Sequence, residues 1–193
     1  MSDLVSYRLA DGVAYLGLDN GKVNAVSPDV VDALNQALDR AEQDKAVVVL
    51  SGKPGILSGG YDLKVMTASA DSAKSLVAAG STLARRMLAH PYPVVVACTG
   101  HAVAKGAFLL LSADYRIGVE GPFKIGLNEV AIKMVLPDWA LTIAVERLSK
   151  RHLQRAIANA RVTTPRDAVD VGFLDEVVAD GDVLDRAVAI AAE

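Results

Sequence analysis

Residues 98–136, CTGHAVAKGAFLLLSADYRIGVEGPFKIGLNEVAIKMVL, constrain the fold more than any other part of the chain. They read as strand, glycine turn, short helix and strand, and then reach a single polar pair, Asn128-Glu129. A turn opening at Gly100 and running through Lys105-Gly106 into the apolar run 107–111 leaves the first amides of a helix without internal partners, which stabilises anions. Glu129 is the carboxylate placed to face that spot. Backbone amides opposite one carboxylate suit removal of a proton next to a carbonyl. The plain alternative for Glu129 is a strand-end carboxylate in solvent.

The rest of the chain reads as scaffold. Asp11-Gly12 is a hairpin signal between residues 5–9 and 13–18. Ser27-Pro28-Asp29 starts a helix whose apolar face is Val30, Leu34, Leu38 and Ala41. Residues 46–50 form a continuous β-branched run, as expected of a strand covered on both faces, which predicts α/β layering. The Gly- and Pro-rich segment 52–60 reads as a loop, either an ordinary surface turn or one that lets the backbone approach a ligand. Residues 71–89 form a long amphipathic helix ended by Pro91 and Pro93, with Arg85 and Arg86 on its solvated side. Beyond the central stretch, 138–148 and 151–160 read as helices, Thr164-Pro165 starts a third that stops at Gly172, 173–178 is a strand and 182–193 is helical.

With 193 residues, 52% of them hydrophobic, the chain can bury one substantial core and is too short for two ordinary domains. A net charge of −3 with interspersed signs gives no footprint for nucleic acid. The N-terminus has no basic segment followed by an apolar stretch and no run reaches membrane-spanning length, so a cytoplasmic protein without membrane contact is expected. Cys98, the one cysteine, is expected to be an inert core thiol, and the three histidines lack metal-ligand spacing, so no metal site is expected.

Residues 100–117, with Ile125-Gly126-Leu127-Asn128-Glu129, resemble the core of the crotonase (enoyl-CoA hydratase/isomerase) superfamily. Residues 51–66, SGKPGILSGGYDLKVM, resemble its first active-site loop, and the two matches stand in the family's order and spacing. The IGLNE string followed by Leu136-Pro137-Asp138-Trp139 is more similar to the enoyl-CoA isomerases than to the hydratases. The resemblance spans roughly residues 13–178. It implies one α/β domain over 1–193, a crotonase-like spiral of β-β-α units with its core in 1–136 and a mainly helical part in 137–193. Relatives usually continue further, with helices that close the acyl pocket or meet a neighbouring subunit, so by this resemblance the chain reads as shortened at its C-terminus.

The resemblance also implies an acyl-CoA thioester substrate, no cofactor beyond the coenzyme A of that substrate, and a homotrimer or hexamer. By the same carry-over the amides of Tyr61 and Lys105 form the oxyanion hole and Glu129 is the base. Gly59, Gly60, Asp62, Leu63, Gly106, Phe108, Asn128, Asp138 and Trp139 contact substrate. Asp62 and Asp138 also read as helix caps, which is the commoner role of Asp at such positions. The family's second glutamate, which helps hold water in the hydratases, falls at Phe108, a side chain that cannot activate water. Lys105 and Lys133 stand where relatives commonly carry Gly. Three readings follow: an isomerase moving a β,γ-double bond to the α,β position with Glu129 alone; a hydratase or hydrolase recruiting Asp138 or Glu120; and a non-catalytic acyl-CoA-binding protein.

Overall fold

Asp11 and Gly12 both adopt positive φ, 51° and 76°, the geometry a tight hairpin requires. They join β1 (Val5–Ala10) to the antiparallel β2 (Val13–Leu18). The computed structural model describes residues 4–179 and 181–193. α1 (Pro28–Gln43) starts as expected: Ser27 Oγ accepts from the Val30 amide at 3.2 Å with Pro at the first position, and Val30, Leu34, Leu38 and Ala41 are all buried. Removing such a cap costs about 1 kcal/mol.

From here the chain repeats one movement three times. β3 (Val47–Ser51), β5 (Val94–Cys98) and β7 (Tyr115–Val119) each enter a large sheet, and β4 (Gly55–Ser58), β6 (Gly100–Val103) and β8 (Ile125–Gly126) each cross to a small one. A helical segment follows every pair: α2 (Leu63–Ala68) with α3 (Ala70–Leu88), then α4 (Lys105–Leu111), then the 3-10 turn Val130–Ile132. This is the expected spiral of strand–strand–helix units. The chain continues through α5 (Asp138–Arg147), α6 (Leu153–Ile157), α7 (Pro165–Val171), β9 (Glu176–Val178) and α8 (Val183–Ala191). The sheets run β1-β2-β3-β5-β7-β9 and β4-β6-β8, parallel throughout apart from β1.

The β-branched strands are covered on both faces, as their continuous apolar runs require. Val48, Leu50, Val94 and Val96 face the main core with α1, α3 and α4, while Val49, Val95 and Ile117 face Val183 and Ala187 of α8. Cys98 is fully buried, and burial pushes its thiol up to about 12, an inert group. Arg86 is not a free surface charge, since it pairs with Asp39 and donates to Asn35 Oδ1 at 3.3 Å, tying α3 to α1. Among the described residues no helix is long and apolar enough to cross a membrane.

Several expectations need correction. Segment 52–60 contains strand β4, whose pairing with β6 is a tertiary event that Gly-rich composition hides. Gly100 belongs to β6, with an extended φ of 159°, and the turn comes four residues later at Ala104. Segment 151–160 is helical only over Leu153–Ile157, and segment 173–178 pairs only from Glu176 because the Phe173 and Leu174 amides donate to Ala168 O of α7. Asp138 does not cap α5: Pro137 is the flanking residue, and Asp138 is the first helical one and exposed.

Candidate active site

The site is built where the small sheet ends. β4 and β6 run parallel, with Ser58 beside Ala102, and past that register the two chains stay together. An ideal Cβ on Gly60 would lie 2.9 Å from Ala104 Cβ and 3.5 Å from the Lys105 amide nitrogen, so Gly60, at φ 103°, is the residue that permits the approach. Tyr61 bridges Val26: Val26 N donates to Gly60 O at 2.8 Å and Asp62 N to Val26 O at 3.0 Å. In a parallel bridge that pattern turns the Tyr61 amide away from Val26. Lys105 opens α4 behind Ala104, which offers no side-chain cap, so its amide has no partner within the helix.

Two devices hold these backbones. Asn24, fully buried, donates from Nδ2 to Leu18 O at 2.9 Å and Leu57 O at 3.2 Å; Ser58 Oγ donates to Asn24 O at 2.7 Å and accepts from Gly60 N at 3.2 Å. On the other side Ala104 sits at φ 51°, ψ −123°, a conformation natural to Gly that costs a side-chain-bearing residue about 1–3 kcal/mol. The surrounding pairing therefore imposes the direction of the Lys105 amide.

Beside this point is a cavity of ≈ 270 Å³, lined by Gly59, Tyr61, Phe108, Asn128, Glu129 and Trp139 together with apolar side chains. Phe108 and Trp139 meet with ring centroids 5.1 Å apart. Tyr61 Oη, Asn128 Oδ1, Glu129 Oε2 and Trp139 Nε1 are buried without a hydrogen-bond partner, and among the described residues these are the four such side-chain atoms. Unpartnered buried polar groups are costly, and their concentration around one cavity marks a functional site. Burial holds the Glu129 carboxyl above the usual carboxylate range, partly opposed by the nearby Glu129 and Asn128 amides. Burial, and then the charge of Glu129, push the Tyr61 phenol up. A larger polar cleft of ≈ 330 Å³ between α6 and α7 mixes Arg155 and Arg161 with Asp167 and Asp170 and contains none of the four.

Of the residues singled out by sequence, Gly59, Tyr61, Leu63, Phe108, Asn128, Glu129 and Trp139 line the cavity, and Gly60, Asp62, Lys105, Gly106 and Asp138 do not. Asp62 caps α2, its Oδ1 accepting from Lys64 N at 2.8 Å, as its position before the helix predicts. Gly106 is buried against β4, where a Cβ would lie 2.2 Å from Ser58 O. The Lys105 side chain is 1% exposed and reaches away to Gly80 O at 2.7 Å, and burial pushes its amine down to about 7. Sequence reading missed Met66, Val77, Ile132, Met134 and Val135 in the lining; the apolar residues of LKVM and of KMVL were the available signal.

The backbone at Lys133 suits the glycine that relatives commonly carry there. Lys133 ends the 3-10 turn in the left-handed region, φ 62°, ψ 31°, where Gly is at ease and a side chain costs about 1 kcal/mol or more. Lys133→Gly is expected to stabilise by about 0.5–1 kcal/mol after the added unfolded-state entropy is subtracted, seen as a raised denaturation midpoint. A lowered midpoint would mean that the lysine side chain holds something.

The comparisons with known proteins agree with this fold. The profile described as Enoyl-CoA hydratase/isomerase matches residues 8–193. A solved enoyl-CoA hydratase/isomerase family protein from Pseudomonas syringae is 62% identical with a TM-score of 0.97, over 98% of this chain and 83% of that one. The mouse mitochondrial enoyl-CoA delta isomerase 1 is 32% identical over 91% of this chain, which spans 63% of that protein's length. A probable enoyl-CoA hydratase from Bacillus subtilis is 27% identical over 98% of this chain and 75% of its own. With the family profile matching residues 8–193 and isomerase-named and hydratase-named relatives both similar in sequence, this chain belongs to the enoyl-CoA hydratase/isomerase family.

Proposed function

We propose that the chain moves the double bond of a β,γ-enoyl-CoA to the α,β position. The observation that carries this reading is the acid count at the cavity: among the described residues Glu129 is the only carboxylate lining it, and Phe108, where the family resemblance puts a second one, lines it with a hydrocarbon ring. Hydration needs a group to hold and activate water, and the candidates lie elsewhere. Asp138 is exposed at the start of α5, and Glu120 is a surface residue paired with Arg166. A proton shift needs one base. In this mechanism the thioester oxygen accepts from the Tyr61 and Lys105 amides, negative charge develops there as Glu129 removes a proton from C2, and the same carboxyl returns it at C4. Asn128, next to the base in the chain, lines the same cavity with an unpartnered Oδ1. The test is turnover of β,γ- and α,β-enoyl-CoA side by side; good hydration of the α,β substrate with no isomerisation would replace this reading with the hydratase one.

The protonation state of Glu129 gives a pH dependence. The base works only when ionised, and its pKa lies above the ordinary value of about 4.3. The kcat/KM profile is therefore expected to fall on the acidic side, with its midpoint displaced upward from that of an exposed glutamate. An acid limb at the ordinary carboxylate position, or none between pH 4 and 7 (a span set by the roughly 4.3 reference), would argue against Glu129 as the base.

A further inference from the structure

Tyr61 and Lys105 supply the two amides, and their side chains also end at one place, Gly80 in the middle of α3. Lys105 Nζ donates to the Gly80 carbonyl at 2.7 Å and lies 5.0 Å from the centroid of the Trp139 ring. From the other side the Tyr61 ring closes over Gly80 itself: a Cβ there would fall 2.0 Å from Tyr61 Oη and 2.8 Å from Cζ. Gly80 is buried, and a methyl there would displace the Tyr61 ring first. The Lys105 amine has a main-chain oxygen and an aromatic face as its neighbours and no carboxylate ion pair among the described residues. Holding a buried amine without a counter-charge opposes folding. What the side chain secures is the seam between α3, α4 and α5 directly behind one of the two amides.

We propose that Gly80 is a shared abutment that sets the spacing of the Tyr61 and Lys105 amides, with the Lys105 side chain as a positioning residue that acts through it. The proposal rests on the reading of those amides as the pair that receives a thioester oxygen. Such donors work only within about 2.7–3.1 Å of the oxygen, and a displacement of about 1 Å can cost a hundredfold in rate. A contact that fixes both donors against one helix residue controls that distance without touching substrate.

The test uses Lys105→Met, which keeps most of the length of the side chain and removes its donor. The readout is the infrared carbonyl stretch of a saturated acyl-CoA carrying ¹³C at the thioester carbon, bound to wild type and variant, with kcat, the acyl-CoA Kd and the melting temperature measured in parallel. The expected result is a bound carbonyl frequency moved at least halfway back toward the free value and kcat reduced about tenfold, with the Kd held within about threefold. Gly80→Ala, which pushes the Tyr61 ring, should move the same band; if that variant fails to fold, the Lys105→Met result decides. A wild-type carbonyl frequency and kcat within about twofold in Lys105→Met overturn the proposal, as does a kcat loss that merely tracks weaker binding and a lower melting temperature. If wild type isomerises nothing yet its carbonyl shift is lost in Lys105→Met, the isomerase reading fails and this one stands. If wild type itself produces no shift, the amide pair is absent and the proposal falls with it.

Discussion

Glu129→Gln is expected to lose isomerase rate on the order of a thousandfold or more, with acyl-CoA affinity retained, because the amide keeps the shape of the side chain and cannot accept the proton. The same substitution should raise the melting temperature at neutral pH. A carboxyl whose folded-state pKa is raised is held ionised at a cost to the fold at any pH above that pKa, and Gln removes the charge from a site where Oε2 has no partner. The two effects run in opposite directions, which separates loss of the base from loss of the fold. Retained isomerisation in a well-folded Glu129→Gln would remove this residue from the mechanism, and a kcat loss accompanied by a lower melting temperature would assign it to structure.

Gly106→Ala should be the most damaging single methyl in the site. Its Cβ would lie 2.2 Å from Ser58 O and 2.9 Å from Ser58 C, both backbone atoms of β4 that cannot rotate aside. α4 must then move off β4, carrying the Lys105 amide with it. Overpacking of this kind costs about 1–3 kcal/mol of stability, and a displacement of about 1 Å at a catalytic donor costs on the order of a hundredfold in kcat/KM. Thermal unfolding together with steady-state kinetics checks both parts. An unchanged melting temperature would mean that α4 and β4 have slack the close approach denies.

What could be read from the sequence divides along physical lines. Elements set by local chemistry were legible: the Asp11-Gly12 turn, the Ser27-Pro28 start of α1, and the Thr164-Pro165 start and left-handed Gly172 stop of α7. Elements that exist only because a distant segment pairs with them were not. β4 is a four-residue strand in a Gly-rich segment and owes its form to β6. Gly100 looked like a turn residue, whereas its lack of a side chain is needed because a Cβ would lie 2.0 Å from the Gly55 carbonyl carbon. At the site, Glu129, Phe108 and Tyr61 were singled out together and do line one cavity. Asp138 was misread because nothing in Pro137-Asp138 says that the helix includes the aspartate and turns it to solvent. The fate of the Lys105 side chain was invisible for a different reason. A lysine opening a helix ordinarily points to water, and only the position of α3 provides the buried carbonyl it reaches.

The alternation of strands between two sheets has a consequence for how the molecule comes apart. β4, β6 and β8 contain 4, 4 and 2 residues, too little pairing to persist alone, since isolated short ladders are marginal in water. Each follows a longer strand of the six-stranded sheet in the chain, and that sheet therefore acts as the frame on which the small sheet hangs. Local opening should begin at the small sheet while the frame remains closed. Amide exchange would register this as faster labelling of residues 100–103 than of 94–98, two segments separated by a single residue. Catalytic competence is then the first property lost on warming, and weakened packing far away in the large sheet is felt at the strand ends before the protein unfolds.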